Sequence, residues 1–177
     1  MASKAGARPP LKLASLDEAV TRLEHLHRGG YRSLGRWNLA QTCEHLSDWM
    51  EFMISGYPPA PWPMRVMMWG MRRTLGPAML RKILATGSMS RGGPTLKQTV
   101  HPAAGLEEST SLKRFRETVA RFKACEGQYH ASPIFGPLSA EDGWQLQLVH
   151  CAHHISLLVP LESARPLPAA VPAPLTT

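Results

Sequence analysis

Hydrophobic residues recur every three to four positions along four stretches of the chain, which is the pattern of amphipathic helices. The first stretch begins with a capping-box sequence at 15–18 (SLDE) and ends at 29–30 (GG). The second begins at Asn38, with Gln41 in the box position, and ends at Gly56. The apolar stripes of these two helices are Leu16, Ala19, Val20, Leu23 and Leu26, and then Leu39, Cys43, Leu46, Met50, Met53 and Ile54.

Two further helices are predicted in the second half of the chain. One runs from about Leu106 to Cys125, and the other opens at Ser139, with Asp142 in the box position, and continues to Pro160. No segment shows a convincing strand pattern. The buried faces of these two helices are marked by Leu112, Phe115, Val119 and Phe122, and then by Trp144, Leu148, Ile155 and Leu158.

About 50 residues separate the second predicted helix from the third. The part from Met64 to Leu84 has helical composition, and we expect Gly70 and the pair 76–77 (GP) to break it into short pieces. Four helices with such a connection predict an all-α four-helix bundle with a long crossover link between helices 2 and 3.

The domain organisation follows from the same pattern. We expect a bundle domain over 13–160, a flexible N-terminus over 1–12 and a disordered Pro/Ala-rich tail over 161–177. The 177 residues suffice for one domain with a single core.

No apolar run reaches the length of a signal peptide or of a transmembrane helix. Three scattered cysteines form neither a disulfide framework nor a CxxC zinc motif, so we expect a cytoplasmic protein with reduced thiols.

The net charge of +7 is concentrated in the long link. Between Phe52 and Leu106 there is no acidic residue. A local positive patch attracts anionic ligands, nucleic acids or membrane surfaces, although a solvated face of a long connection is the simpler explanation. Nucleic acid is not expected, because no recognition motif is present and aromatic residues do not alternate with the charges. The basic residues of this link are Arg65, Arg72, Arg73, Arg81, Lys82, Arg91 and Lys97.

Histidines in the fourth predicted helix supply the first candidate chemistry. His150 and His154 are one helical turn apart, so both imidazoles lie on one face and can converge on a metal ion. The glutamate of an HExxH protease motif is absent, because Cys151 follows His150. His153 is turned about 100° away from His154 and is the poorer partner. The simpler interpretation is a pair of histidines that bond to neighbouring side chains.

The second predicted helix adds His45. Metal sites in helical bundles are built from side chains on facing helices, and three imidazoles with an open fourth position are typical of a catalytic site. Imidazole ligands favour zinc or nickel, with iron and manganese as weaker candidates. The residues expected to line the pocket or to support the ligands are Gln147, Asp48, Trp49 and His153, together with Glu44.

Other residues of these types have simpler interpretations. Cys43 and Cys151 are turned off the ligand face and are predicted to be core residues. Trp37 and Trp144 are predicted to serve in packing. The histidines expected to be dispensable for metal binding are His25, His27, His101 and His130.

Two segments, LGRWNLAQTCEHLSDWMEFMISGYP and SPIFGPLSAEDGWQLQLVHCAHHISLL, resemble the DinB-like (YfiT-like) superfamily, and specifically an uncharacterised branch of unknown function. The resemblance covers about 12–160. It implies a four-helix bundle that binds one divalent metal through a histidine of the second helix and an HxxxH pair of the fourth, here His45, His150 and His154. Some members of the superfamily transfer small thiols or isomerise maleylpyruvate. The extra His153 and the basic, Met-rich link are departures from its motif.

Two hypotheses for the function follow. The first is a metal-dependent small-thiol S-transferase or hydrolase that uses the three-histidine site, with an anionic low-molecular-weight thiol attracted by the basic link. The alternative is a non-catalytic binding module whose segment 64–97 docks on an anionic partner or a membrane surface. The sequence leaves open whether the chain forms a homodimer.

Overall fold

The structure is a computed structural model, and it describes residues 11–90 and 96–161. The described part is mostly helical, with one small sheet. The expected flexible N-terminus and disordered tail lie almost entirely outside the described residues. The elements in chain order are α1 (Leu16–Gly29), β1 (Tyr31–Ser33), α2 (Leu39–Ser55), α3 (Trp62–Arg73), α4 (Leu75–Thr86), a 3-10 turn (Lys97–Thr99), α5 (Glu108–Ala124), α6 (Ala140–Ile155) and β2 (Leu158–Pro160).

One apolar core is shared by α1, α2, α5 and α6. Helix α2 packs along α5, and α1 packs against both α5 and α6. Leu23, Leu46, Phe115 and Cys151 come from the four different helices, and all are fully buried. Burial of a large apolar side chain contributes about 1.5–3 kcal/mol, so this shared core holds α2 and α6 in fixed positions.

The helix starts predicted from capping sequences are confirmed. Ser15 Oγ accepts the N–H of Glu18 at 3.1 Å. Asn38 and Gln41 form the complete reciprocal box at the start of α2, with distances of 2.8 and 3.1 Å. Such caps satisfy amides that would otherwise lack partners, and they fix the residue at which each helix begins.

The long link differs from the prediction, because it contains two full helices. Gly70 lies inside α3, and the break comes at Thr74, between α3 and α4. Helix α4 packs against α6, and its Ile83 is buried. Gly76 lies so close to the carbonyl oxygen of Ile134 that a Cβ atom there would overlap it. The glycine at 76 therefore permits close packing and does not interrupt a helix.

The C-terminal end of the fold also differs from the prediction. Helix α6 stops at Ile155, and the chain then forms β2, which pairs antiparallel with β1. Arg32 lies opposite Val159 in this two-stranded sheet. Strands of three residues are too short to show an alternating pattern, so sequence periodicity cannot detect them.

Candidate metal centre

Three imidazole rings converge where α2 faces α6. Their ligand nitrogens, from His45 on α2 and from His150 and His154 on α6, all lie within 4.8 Å of one another. The Nε2 atoms of His45 and His150 are 3.2 Å apart. Within the described residues, this group contains neither His153 nor any carboxylate or thiolate.

Core packing on the other sides of α2 and α6 sets this convergence. Cys43 and Cys151 are fully buried in the apolar core, as predicted, and burial raises the pKa of both thiols far above the usual range. The core contacts of Cys43 and Cys151 fix how each helix is rotated about its axis. The histidines lie on a different face of each helix, and this rotation directs them toward the facing helix. The one-turn spacing of His150 and His154 then places both rings opposite His45.

Burial keeps the three imidazoles uncharged. Loss of hydration lowers the pKa of His45 to about 4. The hydrogen bond to the Thr99 carbonyl raises this pKa, but by less than burial lowers it. Burial and then the neighbouring imidazoles lower the pKa of His154 to about 2 and hold the pKa of His150 well below its ordinary value. Neutral imidazole is the form that binds metal ions, so no proton has to be displaced at neutral pH.

A backbone carbonyl sets the tautomer of His45. Its Nδ1 lies 3.1 Å from the carbonyl oxygen of Thr99, which is fully buried. A carbonyl can only accept a hydrogen bond, so Nδ1 carries the proton and Nε2 presents a lone pair toward His150. This outer contact is typical of metal-binding histidines. Sequence reasoning missed Thr99, because a main-chain carbonyl has no signature in residue type.

The segment that carries Thr99 is held on α2 by two more hydrogen bonds. Gln41 Nε2 donates to the carbonyl of His101 at 2.7 Å. His101 Nε2 lies 2.7 Å from Asp48 Oδ2. Asp48 also accepts from Arg114, which contacts Glu44 as well. Asp48 and Glu44 therefore support the site through the 96–101 segment and α5, and neither bonds directly to a ligand histidine.

Gln147 lies in the core beside Met53 and does not bond to a histidine. Its Nε2 contacts the Met53 sulfur at 2.9 Å. Within the described residues, Gln147 Oε1 and the indole Nε1 of Trp49 are buried without a hydrogen-bond partner. Buried polar atoms without partners are rare in folded proteins, and they often mark a bound water, ion or ligand.

Two tryptophans flank the histidines. The ring of Trp37 stacks on His154, with centroids 5.2 Å apart and planes 17° apart, and its centroid is 4.5 Å from that of His45. Trp49 meets His150 edge-on at 5.9 Å. Trp37 was expected to serve only in packing, but its position makes it a wall of the site. His153 contacts His154 edge-on at 4.9 Å.

The donor set fits a small divalent ion. Two nitrogens that bind one tetrahedral zinc ion at 2.0–2.1 Å lie about 3.3 Å apart, close to the 3.2 Å between His45 and His150. Residues 11–90 and 96–161 supply no fourth protein ligand, which leaves a position for a small molecule. This arrangement differs from the closed four-ligand sites that serve structural zinc.

Comparison with known proteins places the chain in a family. A family model described as "Protein of unknown function (DUF1569)" matches residues 6–161. The chain belongs to this family. The DUF1569 match spans every helix and strand described above, and the three histidines lie within it. Comparisons with curated proteins and with solved structures gave no match.

Among residues 11–90 and 96–161, no helix has the length and apolarity needed to cross a bilayer.

Proposed function

We propose that this DUF1569 protein binds one divalent metal ion, Zn²⁺ or Ni²⁺, through His45, His150 and His154. We also propose that its fold is the four-helix bundle of the DinB-like superfamily, with α1, α2, α5 and α6 as the bundle. The shared core of these four helices supports that assignment. Helices α3 and α4 then occupy the crossover connection.

The observation that carries the metal proposal is the convergence of three uncharged imidazoles, one with its tautomer set by Thr99. Their ligand nitrogens lie within 4.8 Å of one another. His45 Nε2 faces another imidazole nitrogen, His150 Nε2, at 3.2 Å. A metal ion would satisfy all three lone pairs at once.

The chemistry we propose is that of a metal-dependent small-thiol S-transferase or hydrolase. A divalent ion with three imidazole ligands lowers the pKa of a water or thiol at its open position and supplies a nucleophile at neutral pH. The protein holds the three imidazoles neutral, and Trp37 and Trp49 pack against His154 and His150. Positive charge on the α3–α4 region favours an anionic thiol substrate.

A reducing compartment is part of this proposal. Small thiols are abundant there, and Cys43, Cys125 and Cys151 are all free thiols. We therefore propose a cytoplasmic location.

Cobalt substitution tests the site and its open position together. Metal-free protein titrated with Co²⁺ should develop the visible absorption of a four-coordinate cobalt site at one equivalent. His154→Ala should lose this absorption. His153→Ala is the matched control, because it removes the adjacent imidazole, and it should keep the absorption.

The thiol part of the proposal has its own readout. A low-molecular-weight thiol such as glutathione, added to the cobalt form, should give a sulfur-to-cobalt charge-transfer band in the near ultraviolet. A cobalt spectrum that no thiol alters would exclude the S-transferase and leave the hydrolase, to be examined with ester and amide substrates. Equal loss of cobalt binding in the His153 and His154 variants would mean that the ligand set is wrong.

A further inference from the structure

Helix α3 presents large apolar side chains to solvent. It has no buried residue along its whole length. Trp62, Val66 and Trp69 are 75%, 59% and 54% exposed, and their i, i+4, i+7 spacing places them in one stripe. A helix normally buries such a stripe against the core, and exposed apolar patches of this kind mark interaction sites.

The apolar stripe is combined with arginines. Trp62, Trp69, Arg65 and Arg72 line an open groove of about 650 Å³ beside Pro133. The guanidinium of Arg73 lies 4.8 Å from the ring centroid of Trp69. The sequence interpretation that aromatic residues and charges do not alternate here is therefore wrong for α3.

In the part of the chain that the structure describes, these arginines are not compensated by acidic residues. Within residues 11–90 and 96–161, no carboxylate forms an ion pair with any basic residue of α3 or α4. The basic residues on α5 differ, since Arg114, Arg116, Arg121 and Lys123 all pair with carboxylates. The charge on α3 and α4 is thus available to an external anion.

Helix α4 extends the same kind of surface while holding it on the protein. Leu75 and Met79 are 66% and 37% exposed, and the exposed Lys82 continues their stripe. On another side, Gly76 and Ile83 are buried against the rest of the molecule. The α3–α4 surface, defined as the exposed residues of Trp62–Arg73 and Leu75–Thr86, is therefore fixed to α6 through α4.

We propose that the α3–α4 surface docks on the anionic phospholipid surface of a membrane. Indole rings prefer the boundary between lipid headgroups and acyl chains. Arginine matches phosphate with two parallel hydrogen bonds. A helix with apolar and basic side chains that lies in this boundary satisfies both at once, which fits the alternation of tryptophan and arginine on α3.

Other occupants fit the charge less well. A second copy of the chain would place the uncompensated basic residues of two identical surfaces against each other, which is repulsive. A bilayer offers phosphates and acyl chains side by side over its whole area. The inference does not depend on the metal site, since none of the three histidines belongs to the α3–α4 surface.

Sedimentation of the full chain with lipid vesicles tests the inference. We expect binding to phosphatidylcholine vesicles that contain phosphatidylglycerol and much weaker binding to phosphatidylcholine alone. Binding should decrease as salt rises, because the charges are exposed. Tryptophan fluorescence should shift to shorter wavelength on binding, as Trp62 and Trp69 leave water.

Two sets of variants separate the apolar and basic contributions. Trp62→Ala with Trp69→Ala should remove most of the binding. Arg65→Gln, Arg72→Gln and Arg73→Gln should each weaken it by roughly fivefold. The matched controls are Leu34→Ala and Lys113→Gln, which alter an exposed apolar and an exposed basic residue elsewhere and should bind like the wild type. Apart from half-buried Arg72, the altered side chains are exposed, so the thermal unfolding midpoint of the other variants should not change.

Three results would overturn the proposal. The first is absence of binding to phosphatidylglycerol vesicles at low salt. The second is wild-type affinity in the tryptophan and arginine variants. The third is a dimer in solution that dissociates when Trp62 and Trp69 are replaced, since a second copy would then be the occupant.

Discussion

The carbonyl of Thr99 decides which nitrogen of His45 is available to a metal ion. It accepts the Nδ1 proton at 3.1 Å, so the lone pair is on Nε2. Thr99 itself is positioned by His101, whose ring bonds to Asp48 and whose carbonyl accepts from Gln41. His101, predicted from the sequence to be dispensable for metal binding, is therefore coupled to the site without being a ligand.

This coupling predicts the effect of His101→Ala. The variant should still bind one metal ion, but with an affinity up to about 10-fold lower. A direct partner of a ligand histidine, such as the Thr99 carbonyl, contributes about 10- to 100-fold, and the His101 side chain acts only through the position of that carbonyl. Competition with a chromophoric chelator measures the affinity. His27→Ala is the control, because His27 pairs with Glu108 away from the site and should leave the affinity unchanged. If His101→Ala instead bound much less than one metal ion per chain, His101 would be identified as a ligand.

At the scale of residues, the sequence predicts which side chains can act together when their spacing places them on one face of a helix. The spacing of His150 and His154 and the position of His45 in a helix led to the three rings that the structure brings together. The contacts of Thr99 and Trp37 could not be predicted in this way. Each depends on a long-range approach between segments, and neither follows from helical periodicity.

At the scale of elements, Gly76 controls how closely α4 approaches the loop that contains Ile134. A Cβ atom at position 76 would overlap the Ile134 carbonyl, whereas a Cβ atom at Gly70 in α3 would meet open space. The two glycines are therefore in opposite situations, although both lie in helices of the same link.

The contrast predicts opposite effects of alanine. Gly76→Ala should lower the free energy of unfolding by about 1–3 kcal/mol, because the backbone must move to relieve the overlap. Gly70→Ala should leave it unchanged or raise it by up to about 1 kcal/mol, because alanine favours the helix. Urea unfolding followed by circular dichroism measures both. Destabilisation of similar size in the two variants would contradict the close packing at Gly76.

Helix boundaries show which elements a sequence can specify. The capping residues Ser15, Asn38 and Ser139 predicted the starts of α1, α2 and α6, because capping is a local interaction. The division of the link at Thr74 and the pairing of β1 with β2 were not predicted. Both depend on contacts with distant parts of the chain, which local patterns do not contain.

At the scale of the whole molecule, three buried uncharged histidines link stability to pH. An unfolded histidine takes up a proton near pH 6.5, whereas His45 in the folded protein does so only near 4 and His154 near 2. Above about pH 6.5 both states are neutral and stability does not depend on these groups. Below it, the unfolded chain binds more protons, so stability is lost as the pH falls.

The prediction is a decline in the unfolding free energy of the metal-free protein between about pH 6.5 and 4, by up to about 1.4 kcal/mol per pH unit for each buried histidine. In His154→Gln the slope of the unfolding free energy against pH should be smaller by the contribution of one proton, about 1.4 kcal/mol per pH unit. Urea unfolding in the presence of a chelator at a series of pH values measures the slopes. Parallel profiles for the two proteins would show that His154 does not remain neutral in the fold.

Metal analysis of the purified protein tests the claim that His45, His150 and His154 hold one divalent ion. The protein should be purified without an affinity tag, with His150→Ala prepared in parallel. We predict about one equivalent of zinc or nickel in the wild type and none in the variant. No metal in either protein, even after incubation with zinc or nickel, would contradict the claim.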